Sequence, residues 1–192
     1  MSARKERKAR EAHQRALAAW ADQTRAEATS HACELALIIA TGGEHAANAY
    51  HIGAVLDDGE IVWGRGASQF RSSAKDEPWL ERGYAQWAIT SHRLIGRRAD
   101  GGLEHIPWSA IVGVRVDLPA EWVALDAGNG WRAVLTGPAI APIAVAAVAA
   151  CHGTLAMIDH PGLEPLRVRA TVEASSAGLR YEFGGTHWGE HG

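Results

Sequence analysis

Val112-Gly113-Val114-Arg115-Val116-Asp117-Leu118 puts an apolar side chain at every second position and a small or charged one between. Side chains on a strand alternate between faces, so this stretch reads as a strand with one face buried and one in water. Downstream, Trp122–Asp126 and Trp131–Thr136 flank Gly128-Asn129-Gly130, residues that accept the positive φ of a tight hairpin turn. Upstream, Glu60–Ser72, Tyr84–Ser91, Arg93–Arg98 and Leu103–Ile106 carry further strand patterns, separated by polar or glycine-rich turns such as Asp100-Gly101-Gly102. Seven short strands in series predict an antiparallel sandwich or barrel. Trp63, Trp87, Ile89, Val112, Val114, Val116, Leu135, Ile143 and Val148 are its expected core.

Helical signals flank the strands, so the class is α+β. Residues 3–40 hold no Gly or Pro and are rich in Ala, Arg, Glu, Lys and Gln. They predict one long helix, with Thr29-Ser30 as the place where it could break and Gly42-Gly43 as its stop. Leu35, Leu37, Ile38 and Ile39 cannot stay in water, so residues 30–40 should dock on the chain's own domain while residues 1–20 project. Residues 133–151 carry no charge, but Gly137, Pro138 and Pro142 break the stretch. A strand running into a buried helix at 139–151 explains it better than a membrane span. In the tail, Leu166–Ala174 and Leu179–Phe183 read as a hairpin, and residues 184–192 carry no packing pattern. The divisions are therefore 1–43 (helix), 50–153 (strand domain) and 154–192 (extension).

Charge and chemistry narrow the function. With 19 basic and 22 acidic residues the chain is −3 overall, yet residues 1–27 are +3 and the remainder −6. Cys33 and Cys151 are too few for a disulfide framework or a four-cysteine zinc site. With no signal-peptide pattern at the start, a reducing, cytoplasmic setting is expected. His187, Glu190 and His191 sit among glycines without a rigid scaffold; His45 and His51 flank a loop, and His152 and His160 bracket Asp159. Cys151 and His152 are helix neighbours about 100° apart and do not face each other. Gly66-Ala67-Ser68-Gln69-Phe70 lacks the second glycine of a nucleophile elbow, and no phosphate-binding glycine loop occurs. These readings predict no enzyme, no cofactor and no metal.

Three local words carry a family resemblance. Ala54-Val55-Leu56-Asp57-Asp58-Gly59-Glu60 opens the strand series; Ala88-Ile89-Thr90-Ser91-His92-Arg93-Leu94-Ile95 forms a polar corner between two strands; Ile106-Pro107-Trp108-Ser109-Ala110-Ile111 precedes the valine strand. In order and spacing, residues 52–152 resemble bacterial pleckstrin-homology-like (GRAM-type) domains. The resemblance implies a seven-stranded antiparallel sandwich or barrel closed by a C-terminal helix, and a binding rather than a catalytic role. A protein partner, met at a sheet edge, a groove and the N-terminal helix, is the first expectation. An anionic lipid surface or a nucleic acid is the second. The basic residues available for such contacts are Arg4, Lys5, Arg7, Lys8 and Arg10 on the helix, and Arg65, Arg93, Arg97 and Arg98 on the strands. The helix also offers a surface for self-association.

Overall fold

A computed structural model describes residues 3–42 and 53–176. α1 runs unbroken over Ala3–Thr41. Thr29 and Ser30 do not interrupt it: their hydroxyls donate back to the Arg25 and Ala26 carbonyls (2.7 and 3.3 Å). Gly42, at φ +67°, ends it in the left-handed conformation that glycine takes without strain.

All seven strands form: β1 Val62–Ser73, β2 Leu80–Thr90, β3 Arg93–Arg98, β4 Leu103–Pro107, β5 Ile111–Asp117, β6 Trp122–Ala127 and β7 Arg132–Thr136. They make one antiparallel sheet in the order β4-β3-β2-β1-β7-β6-β5. β1 joins its halves, pairing with β2 along most of its length and with β7 from Gln69 to Ser73. Irregularities at Val62/Gly64 and Phe70/Arg71 bend it. The two outer strands, β4 and β5, are linked by a single 3-10 turn, Trp108–Ala110. Three residues span only about 10 Å, so the sheet must roll until its edges approach.

Inside the roll lie Phe70, Trp87, Ile89, Leu94, Val123, Leu125 and Leu135, all buried. Val114 is buried as expected, and Trp63 and Val116 are half-buried against the core. Val112 is the exception, 68% exposed. The register against β6 slips between Ile111 and Gly113, so Ile111 takes the inward place and Val112 turns out.

α2, Ala141–His152, explains the charge-free stretch. Pro142 sits in its first turn and Gly153, at φ +86°, caps it. Every residue from Ala141 to Ala149 is buried because α2 is covered on both sides. One side meets β1, where Gly66 lets Ile143 approach: a Cβ there would lie 2.8 Å from Ile143 Cγ1. The other side is covered by α1, whose Ala28, Ala32, Leu35 and Ala36 are buried. Among the described residues no helix is long and apolar enough to cross a membrane.

Beyond α2 the chain corrects one expectation. Leu166–Ala174 is not a strand of a hairpin but part of α4, Glu164–Ser176; Leu179–Phe183 lies outside the described residues. Leu163, Leu166 and Ala170 recur at three- and four-residue spacing and join the main core with Met157 of α3 (Ala156–Asp159). Residues 157–170 are thus part of the body rather than an appendage.

Candidate functional site

The three words of the sequence converge on one corner. Glu60, its side chain withdrawn from solvent, receives a two-pronged contact from Arg93, Nε to Oε1 at 3.0 Å and Nη2 to Oε2 at 2.8 Å. The Thr90 hydroxyl donates to Glu60 Oε1 (2.6 Å) and accepts the Arg93 amide (3.0 Å). The Trp108 indole N–H donates to the Thr90 carbonyl (2.9 Å), and its amide to the His92 carbonyl (2.9 Å). Burial alone would raise the Glu60 carboxyl. Hydrogen bonds from Arg93, Thr90 and the Asp57 amide, with the Arg93 charge, outweigh it and hold the group below its ordinary range. Asp57, Glu60 and His92 also place ligand atoms within 4.8 Å of one another. Arg93 already spans both carboxylates, at 2.8 and 3.2 Å, so a cation would have to displace a guanidinium. The corner is a fold clasp.

The strand arginines do not converge. Arg93 belongs to the clasp. Arg98 pairs with Asp100 (3.0 Å) and Glu104 (2.7 Å), and Arg97 donates to the Gly101 carbonyl (3.2 Å). Arg65 is exposed on β1 beside a small hollow of about 180 Å³ bordered by Thr24, His31 and Pro142. A different basic pair comes together instead. Arg71 and Arg132 lie over the Trp79 ring, 5.1 and 5.7 Å from its centroid, and meet no carboxylate within 4.0 Å among the described residues. Only the register, which sets Ser73 opposite Arg132, brings residues 71 and 132 to one place.

The sheet edges differ in access. Among the described residues β4 borders β3 alone, whereas β5 is blocked at Val116 by the 3-10 turn Pro161–Leu163. Gly162 sits so close that a Cβ would lie 2.6 Å from the Val116 carbonyl oxygen. Behind this block a groove of about 930 Å³ runs between β5 and α4, lined by Val116, Trp122, Pro165 and Val168.

The basic residues at the start of α1, Arg4 to Arg15, stand apart from the body. Among the described residues Arg25 is the last ion-pair tether on its N-terminal side, bonding to Asp22 and, through Nε at 2.7 Å, to Glu121 in the β5–β6 turn. From α4, Arg169 reaches Ser30 Oγ (3.1 Å). Before these tethers residues 4–20 are all exposed, including Arg4, Lys5, Arg7, Lys8 and Arg10. Leu17 and Trp20 are 51% and 58% exposed. At 1.5 Å per residue this arm is about 25 Å long.

The nucleophile and histidine candidates resolve differently. Burial pushes the Cys151 thiol up, away from the thiolate. His152 and His160, eight residues apart, stack with ring centroids 6.2 Å apart. Burial, then His152 and Arg167, holds the His160 imidazole below its ordinary value, and its Nδ1 accepts the Gly162 amide (3.1 Å). The stack thus braces the turn that covers β5. His45, His51, His187, Glu190 and His191 lie outside the described residues. No family model and no curated protein matches the chain.

Proposed function

We propose that the chain is a non-enzymatic binding module, a pleckstrin-homology-like body that presents α1 to a protein partner. The observation that carries this reading is the arm at residues 4–20, a helix that has no tertiary cover among the described residues and bears the exposed Leu17 and Trp20. Isolated helices shorter than about 12–15 residues are marginal in water, and an arm of this length gains little from propensity alone. Large apolar side chains on such an arm favour a protein surface over a purely ionic one. The pleckstrin-homology-like assignment draws support from the strand order, the closing helix and the joining of the three words at one clasp.

The second reading, an anionic lipid surface or a nucleic acid, is favoured by the charges of the arm and by the arginines on Trp79. Salt separates the two. Full-length protein and its Leu17→Glu/Trp20→Glu variant, immobilised at about 0.5 M salt, would be offered cell extract, since screening at that strength removes most exposed ionic attraction. A protein held by the first and not the second, then rebound as a purified pair, is the expected result. Equal capture by both contradicts the reading. Binding only at low salt, and only to anionic vesicles or DNA, transfers the role to the second.

A further inference from the structure

α1 carries two stripes. At 100° per residue, Ala28, Ala32, Leu35 and Ala36 face the body. A second stripe lies about 125° round the helix: Ala9, His13, Ala16, Trp20, Gln23 and Glu27, spaced alternately four and three, all exposed. Because it looks sideways from the docked face, the body does not cover it where the two overlap.

Its composition specifies an occupant. Residues 3–18 hold six basic and two acidic side chains, a net +4, whereas residues 19–34 hold Asp22, Glu27 and Glu34 against Arg25, a net −2. A second α1 laid parallel would set +4 on +4. Laid antiparallel about a two-fold axis near residue 18, it sets each basic end beside an acidic stretch. The same register places the small Ala16 opposite the large Trp20 twice over, and Ala9, flanked by Lys8 and Arg10, opposite Glu27. Shape and charge are both self-complementary, as a two-fold contact requires.

We infer that α1 pairs antiparallel with α1 of a second copy, crossing at Ala16 and Trp20. The inference rests on the reading of α1 as the binding element and names the partner as the chain itself. Sedimentation equilibrium on full-length protein, at about 0.05 M and about 0.5 M salt, tests it. A dimer that weakens at the higher salt is expected. Trp20→Glu should weaken it at least about tenfold, since it removes the large apolar group at the crossing. Lys8→Glu/Arg10→Glu should also weaken it, and adding Glu27→Lys to that chain should restore it. Only an antiparallel pair predicts this restoration; a parallel one would set like charges together at both places. These positions lie outside the core, so unchanged hydrogen exchange in β1–β7 is expected for every variant. A monomeric wild type, or a triple variant no tighter than the double, overturns the pairing. If the monomer still binds a different protein through Trp20, the pairing fails and the binding reading survives; if Trp20 matters to nothing, both fail.

Discussion

Arg93→Ala is expected to destabilise the fold by about 3 kcal/mol, near the lower end of what breaking a buried ion pair costs. The Glu60 side chain is wholly buried, while Arg93 keeps 17% of its side chain exposed, which tempers the loss. What remains after the change is a carboxylate with Thr90 and one amide for company. Glu60→Leu/Arg93→Leu should recover much of the loss, because it leaves no charge behind. Urea unfolding at pH 7 reads both. The pH dependence has a fixed sign. The native carboxyl titrates below its ordinary 4.5, so the pair contributes fully above that pH. Its contribution fades as pH falls through the lower native value. The wild type should therefore lose its advantage over Arg93→Ala in acid. Equal stability of the two proteins at pH 7 would contradict the clasp.

Trp87→Ala is expected to cost about 3–5 kcal/mol, the range for emptying a large aromatic site in a core. Trp87 is fully buried, meets Phe70 edge-on with centroids 5.4 Å apart and donates its indole N–H to Ser68 Oγ (2.9 Å). Gly96 leaves room for the ring, since a Cβ there would lie 2.5 Å from it. Trp87→Phe should cost less, keeping most of the ring contact while leaving the Ser68 hydroxyl without its donor. A thermal midpoint unchanged in Trp87→Ala would show that the sheet does not close round this residue.

Local patterns predicted the strands and α2 because neighbours in the chain mark them: alternating valines, Gly-Asn-Gly, a proline in a first helical turn; β2, however, begins at Leu80, four residues before its expected start at Tyr84. Docking of residues 30–40 followed from apolar side chains that needed cover, and the structure starts the contact two residues earlier, at the buried Ala28. What local patterns do not encode depends on distant partners. Val112 faces water because one register slip against β6 moves it, and no pattern within residues 112–118 contains that slip. Leu166–Ala174 reads locally as a strand because Val168 and Thr171 favour extended chain, while the helical spacing of α4 becomes visible only once Leu163, Leu166 and Ala170 have a core to meet. The quoted words were legible separately, yet the Glu60–Arg93 bond spans 33 residues and had no local sign. That bond also removes Arg93 from the exposed charges, and Arg98 is held likewise by Asp100 and Glu104. The candidate surface therefore shifts from the strand arginines to the arm of α1.

Hydrogen exchange along α1, followed by mass spectrometry on full-length protein over a range of concentrations, tests the division of this helix most directly. At low concentration, amides of residues 28–40 should exchange only with unfolding of the body, and those of residues 4–20 should exchange orders of magnitude faster, as for a frayed helix. As concentration rises, protection should spread into residues 4–20 and stay unchanged in β1–β7. Slow, concentration-independent exchange along all of α1 would contradict the account, placing the arm in the body rather than in reach of a partner.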